Sequence, residues 1–207
     1  ASLDGADLDA PAEVLTRLRE IETSALRASE LCRQMLAYAG RAPFAMKRVD
    51  LATFLPETAH LVRASMGKGT ELRFELEPDL PAVQVDVAQI RQVIMNLLIN
   101  AAEAIGARGG SVRVRGARVL VDSDYTRLHR LSHDITPGEY VAIEVEDDGS
   151  GIDPSDVARV FDPFFTTKFT GRGLGLAATN GIVGKHTGAI ELWSEKGKGK
   201  PFTILLP

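Results

Sequence analysis

From Val14 to Ala39, apolar or small residues fall at Val14, Leu18, Ile21, Ala25, Ala28, Cys32, Met35 and Ala39, with spacings that alternate between four and three. That is the seam of a coiled coil. Pro11 and Gly40 supply the start and stop signals, and a helix of about 28 residues would be roughly 42 Å long, too long for a compact domain of this size. The pattern therefore predicts one arm of a helical bundle whose other members come from elsewhere. After a linker at Arg41–Arg48 the periodicity changes to mixed α and β, which places a domain boundary near Val49 and divides the chain into 1–48 and 49–207. A short helix is expected over about Phe54–Met66, with Pro56 in its first turn, followed by a strand at Glu71–Leu76. Asp86 caps a long helix carrying Val87, Ile90, Ile94, Leu97, Leu98 and Ala101, and Gly106, Gly109 and Gly110 end it. Strands at Ser111–Val121 and Glu139–Glu146 flank a polar hairpin loop containing His129, His133 and Pro137. A helix from about Leu174 to His186 and strands at Ala189–Ser194 and Phe202–Leu206, around the solvated basic turn Lys196–Lys200, complete the chain. The expected class is α+β: a two-layer α/β sandwich with one mixed sheet and helices on one face, preceded by the heptad helix.

Composition narrows the function. In 207 residues, 44% hydrophobic and 25% charged content belongs to a globular protein rather than a disordered or collagenous one. Twenty-four Lys and Arg against 28 Asp and Glu give a formal net charge of -4, without the basic excess of a duplex-binding protein, so nucleic acid is excluded as an expected partner. The single cysteine, Cys32, permits no disulfide within the chain and no multi-cysteine zinc site, which points to a reducing, cytoplasmic compartment. The longest apolar run, Val93–Ala102, is interrupted by Asn96 and Asn100 well short of the roughly 20 residues a membrane helix needs. Ala1–Ala10 has neither the basic start nor the apolar centre of a secretory signal. A membrane anchor in a parent protein would lie outside this chain.

Asn96 and Asn100 stand one helical turn apart in an otherwise apolar stretch, so both amides emerge on one side. They can cap nearby backbone groups, or an amide oxygen can serve as a hard neutral ligand for Mg²⁺. Asp147, Asp148, Gly149, Ser150, Gly151 and Ile152 follow a strand directly. Their glycines let a ligand approach the backbone, and a carboxylate at Asp147 could accept from the exocyclic amine of adenine where guanine would present a second acceptor. Gly171, Arg172, Gly173, Leu174, Gly175 and Leu176 open a helix whose bare amides suit phosphate, with Lys168 and Arg172 adding positive charge. The spacing matches neither a Walker A loop nor a Rossmann fingerprint. Between the two glycine-rich sites, Phe161–Lys168 concentrates phenylalanines in a loop, which suggests a lid over a ligand, or rings that pin the loop to the core.

In order and spacing, Asn96–Ala101, Asp147–Ile152, Phe161–Lys168 and Gly171–Ala177 resemble the N, G1, F and G2 boxes of bacterial sensor histidine kinases. The likeness runs over nearly the whole chain. The heptad helix is similar to the second helix of the family's dimerisation and phosphotransfer hairpin, and Trp193–Pro207 to the finish of its catalytic domain. The resemblance implies the Bergerat ATP-binding fold of the GHKL ATPases and binding of ATP with Mg²⁺. Asn100 would ligate the metal, Asn96 would support metal and phosphates, and Glu103, one turn on, would orient a metal-bound water. Asp147 would read adenine in a pocket shaped by Gly149, Gly151 and Ile152. Lys168, Arg172 and the amides of Gly173 and Gly175 would hold the triphosphate, Thr166, Thr167, Gly171, Leu174 and Leu176 would belong to the ATP-binding set, and Asn96, Asn100 and Lys168 would form the catalytic set.

In hydrolytic relatives of that superfamily a glutamate stands four residues before the metal asparagine. Here the position is Asn96, which cannot act as a base, so the site is expected to pass its γ-phosphoryl group to an external nucleophile. The implied acceptor is a histidine on a first hairpin helix, and the onward acceptor an aspartate in a response-regulator receiver domain, with a homodimer formed through the heptad helix in the parent protein. No such histidine precedes Pro11, and His60, His129, His133 and His186 read as surface or packing residues. The chain is therefore expected to be a kinase fragment that does not autophosphorylate alone. Two other readings stay open: a non-catalytic nucleotide-binding dimerisation module, and a serine kinase or hydrolytic ATPase of the same superfamily.

Overall fold

The structure is a computed structural model that describes residues 45–67, 69–168, 173–192 and 201–207, together with Val14 and Arg17. Those last two are helical, and the rest of the heptad seam lies outside the described residues, as do Gly171, Arg172 and the Lys196–Lys200 turn.

The main sheet has five strands in the order β2 (Thr70–Leu76), β4 (Gly110–Val121), β5 (Gly138–Asp147), β7 (Phe202–Leu206) and β6 (Ala189–Leu192). Only β2 and β4 run parallel, and the chain between them carries the long helix α2 (Val87–Ile105), the crossover that a parallel pair requires. Residue alternation sends Val112, Val114, Ile143, Val145, Ile190 and Ile204 to one face, where they meet α1 (Leu51–Val62), α2 and α4 (Gly175–Lys185) in a single core. Ile90, Ile94, Leu97 and Leu98 of α2 are fully buried there, each contributing roughly 1.5–3 kcal/mol relative to exposure. The mixed sheet with three long helices on one face is the architecture the pattern predicts.

Three features depart from that reading. Met46–Val49, placed in the linker, is a strand (β1) paired antiparallel with β3 (Val83–Asp86). Three of its four residues are exposed, so it carries no alternation to read. Helix α1 starts at Leu51 rather than Phe54, because Asp50 caps it by accepting from the Ala52 N–H at 3.0 Å. Pro56 therefore sits beyond the first turn, at a cost of about 3 kcal/mol. Burial of Leu51, Phe54 and Leu55, at roughly 1.5–3 kcal/mol each, outweighs it.

The third departure is the loop between β4 and β5, which holds a short helix, α3 (Ser123–Leu128), and covers part of the opposite sheet face. Val121, Tyr140, Ala142 and Leu205 form a second small core there with Val119, Tyr125, Leu131 and Ile135. Tyr125 stacks on His129 with ring centroids 3.9 Å apart, and both reach Glu191, at 3.0 and 2.7 Å. Burial, with Glu191 beside it, pushes the Tyr125 hydroxyl above the ordinary phenol range. Elsewhere on this face Arg113 and Arg115 interleave with Glu75, Glu144 and Glu146 in a solvated lattice.

The ends of α2 and α4 away from the glycine-rich segments meet in a buried polar node. Asp86 caps α2, accepting from the Gln89 N–H at 3.0 Å and from the Ala45 N–H at 2.8 Å. The Asp86 N–H in turn donates to Nε2 of His186 at 2.9 Å, and Nδ1 of His186 donates to the Ile182 carbonyl at 2.8 Å. Both ring nitrogens are satisfied only in the neutral tautomer. Burial holds this imidazole below its ordinary value of 6.5, with Lys185 acting the same way and the Ile182 carbonyl and Asp86 opposing. Burial works to raise the Asp86 carboxyl, but the N–H groups of Ala45, Gln89 and Ala88 hold it below its ordinary 3.8. For both groups the native state binds fewer protons than the unfolded chain. Their contribution to stability is full above pH 6.5 and falls as His186, then Asp86, is driven to protonate. Urea unfolding is expected to show a lower midpoint at about pH 5.5 than at about 7.5, and His186→Gln should flatten that difference.

Candidate functional site

The amides of α2 divide their work. Asn96 and Asn100 are both half-buried, but Asn96 turns toward α4, its Nδ2 donating to the Gly175 carbonyl at 3.2 Å and the Thr179 hydroxyl at 3.4 Å. Asn100 faces a cavity of about 550 Å³. Its Oδ1 accepts from the Lys168 ammonium at 3.3 Å, and the Glu103 carboxylate, one turn further, pairs with the same ammonium. Two hard oxygens of one helix thus converge on one cation.

On the same cavity wall, β5 ends at Asp147, a residue 8% exposed whose carboxylate accepts from the Gly149 N–H at 2.8 Å. Burial pushes this carboxyl above the ordinary carboxylate value, with Asp148 and Glu146 adding repulsion and the Gly149 N–H and Lys168 opposing. The turn that follows lies hard against α2: a methyl at Gly149 would be 2.6 Å from the Ala104 carbonyl carbon, and the Ser150 N–H donates to the Ala104 carbonyl at 3.1 Å. Asn100 and Asp147 are therefore both referenced to the same helix.

The loop from Phe161 closes one side. Phe161 and Phe165 pack against the main core, and the Arg159 guanidinium lies 4.4 Å from the Phe165 ring centroid, whereas Phe164 is 67% exposed. Two rings thus pin the loop and one does not. Gly173 meets it with φ +65°, and a methyl there would lie 2.3 Å from the carbonyl carbon of Phe164, so this approach requires glycine. The Phe164 N–H donates to the Gly173 carbonyl at 2.8 Å, which ties the loop to the start of α4.

Of the residues singled out in the sequence, Asn100, Glu103, Asp147, Gly151, Ile152, Thr166, Thr167, Lys168, Gly173, Leu174, Gly175 and Leu176 line this one cavity. Asn96 and Gly149 do not line it: the first ties α2 to α4 and the second lets the turn approach α2. Gly171 and Arg172 lie outside the described residues. The apolar wall also includes Leu97, Ala101, Ala104, Val145, Val160 and Phe202, none of them among the binding residues expected from the sequence. None of the four histidines lines the cavity. Chemically, the site offers a partly apolar cavity whose wall carries a buried acid, two hard oxygens and a lysine, together with a glycine-rich helix start.

Residues 85–207 match the family described as histidine kinase-, DNA gyrase B-, and HSP90-like ATPase. The sensor kinase CckA of Brucella abortus is 38% identical over 192 residues, 92% of this chain and 20% of that protein. The sensor histidine kinase ZraS of Escherichia coli is 35% identical over 164 residues, 79% of this chain and 31% of that protein. Full-length ShkA in complex with AMPPNP aligns with a TM-score of 0.74 at 25% identity, over 100% of this chain and 40% of that one. The nucleotide-free catalytic domain of histidine kinase ThkA aligns with a TM-score of 0.62 at 26% identity, covering 79% and 95%. The chain spans about a fifth to a third of the length of the two kinases matched in sequence.

Proposed function

Because the chain belongs to the family of histidine kinase-, DNA gyrase B- and HSP90-like ATPases, we propose that it is the ATP-binding catalytic part of a sensor histidine kinase. The carrying observation is that Asn100 of α2, Asp147 of β5 and the glycine-rich start of α4 all stand on the wall of one cavity. In this reading residues 49–207, together with the rest of strand β1 (Met46–Val49), form the catalytic unit, and the segment before β1 is the helix and linker that join it to a bundle dimer. A histidine outside this chain accepts the γ-phosphoryl group and a receiver-domain aspartate takes it onward. The single cysteine accords with a cytoplasmic setting. Among the described residues no helix is long and apolar enough to cross a membrane.

The donor set suits Mg²⁺. Asn100 and Glu103 already share a cation, the Lys168 ammonium, and both present hard oxygens. Among the described residues no three His, Cys, Asp or Glu side chains form a metal cage, so the protein's oxygens would hold the ion only together with phosphate oxygens. When bound, Mg²⁺ would neutralise charge on the triphosphate. The protein's own contribution is positioning and electrostatics: Asp147 accepts from the adenine amine, the amides at Gly173 and Gly175 face phosphate, and Lys168 supplies charge.

Asn96 supports transfer rather than hydrolysis. An amide cannot take a proton from water, and this one is engaged by Gly175 and Thr179. The test is transfer from γ-labelled ATP to a separately supplied hairpin helix that bears a histidine. Label is expected in an acid-labile, base-stable bond on that helix, with little free phosphate. Steady phosphate release that ignores the helix would reassign the chain to the hydrolytic ATPases.

A further inference from the structure

Of the two neighbouring acids at the end of β5, only Asp147 has a role expected from the sequence, and the structure gives Asp148 a separate task. Asp147 lines the cavity, while Asp148 turns away from it onto the start of β4. Both oxygens of the Asp148 carboxylate lie 3.0 Å from the Ser111 N–H, and the Ser111 hydroxyl donates to Oδ2 at 3.0 Å. The Asp148 N–H returns a bond to the Ser111 carbonyl at 3.3 Å, and the Arg108 guanidinium, just past the end of α2, donates to the Asp148 carbonyl. A methyl at Gly110 would fall 2.2 Å from Oδ1 of Asp148, so this position is open to the carboxylate only because residue 110 has no side chain.

Asp147 is the last residue of β5, paired with Val112. The strand ladder fixes its backbone on one side only. On the other side the chain leaves the sheet, and the next residue is held by Ser111 and Arg108. From this geometry we infer that Asp148, with Ser111 and Arg108, is the positioning group that aims the Asp147 carboxylate and so sets discrimination between a 6-amino and a 6-oxo purine. The inference rests on the proposed reading of Asp147 as the acceptor of the adenine amine. Asp148 itself touches no nucleotide in it. Selectivity is the sensitive quantity because a misaimed acceptor loses the bond to an amine, while stacking in the apolar slot and the phosphate contacts are unchanged.

The test compares dissociation constants for ATP and inosine triphosphate by calorimetry in the full chain and in Asp148→Ala, Asp148→Asn and Ser111→Ala. The unaltered protein is expected to prefer ATP by at least about tenfold, and Asp148→Ala to lose most of that preference, while its affinity for inosine triphosphate changes by less than about threefold. Asp148→Asn, which keeps one acceptor for the Ser111 N–H, should restore most of the preference, and Ser111→Ala should fall between. Asp148 is exposed, and thermal midpoints should stay close to that of the parent. Equal losses for both triphosphates, or a preference intact in Asp148→Ala, overturn the positioning role while leaving Asp147 as the base reader. No ATP preference in the unaltered protein overturns both.

Discussion

Asn100→Ala is expected to weaken nucleotide binding on the order of a hundredfold when Mg²⁺ is present and to change it little when the metal is chelated. Asn100 is half-buried on α2, and its Oδ1 is oriented toward the shared cation. Removing the amide leaves Glu103 as the remaining oxygen of that pair, on a side chain 52% exposed and correspondingly free to move. A lone carboxylate on a mobile stem holds an octahedral ion less well than the same carboxylate beside a fixed amide oxygen. The fold should survive, because the buried stripe of Ile90, Ile94, Leu97, Leu98 and Ala101 carries α2 without the amide. Titration calorimetry with and without chelator measures both halves of the expectation. An equal loss in the two conditions would mean that Asn100 packs against the nucleotide and has no part in holding metal.

The same helix shows why some of this site is legible in the sequence and some is not. The interruption of the Val93–Ala102 run by two asparagines marks amides that need partners, either backbone and hydroxyl groups within the fold or a ligand. Which amide looks into the cavity is decided by α4, whose Gly175 carbonyl and Thr179 hydroxyl capture Asn96, and that depends on how two helices distant in sequence pack. Asp147 is legible as an acid at a strand end, whereas the separation of Asp147 from Asp148 depends on the register that brings β4 beside β5. The slot's apolar wall could not be told from core, because Val145 and Phe202 obey the same strand alternation and burial as residues with no ligand to meet, and Val160 is buried like them. β1 and α3 left no periodic mark: one is exposed at three of four positions and the other spans only six residues. Their places are set by pairing with β3 and by the second small core.

Lys168→Ala is expected to slow phosphoryl transfer by about a hundredfold to a thousandfold while weakening nucleotide binding by less than about tenfold. The asymmetry follows from where the ammonium stands. In this structure it touches the Asn100 amide oxygen at 3.3 Å and pairs with the Glu103 carboxylate. Nucleotide entry must exchange those contacts for phosphate oxygens, so the gain in ground-state binding is offset by the pairing given up. Charge developing along the transferred group has no such offset, and a lysine already at the cavity wall stabilises it without further reorganisation. The same competition makes a second expectation for the protein without nucleotide. With the ammonium gone, Asn100 and Glu103 are left to a divalent ion alone, and Mn²⁺ binding read by electron paramagnetic resonance should strengthen severalfold in Lys168→Ala. Single-turnover transfer to the histidine-bearing helix, set beside calorimetric ATP affinity, separates the rate effect from the binding effect. Parallel losses in the two would place Lys168 among the residues that only hold the phosphates. Unchanged Mn²⁺ affinity would show that the pairing with Glu103 does not compete with metal.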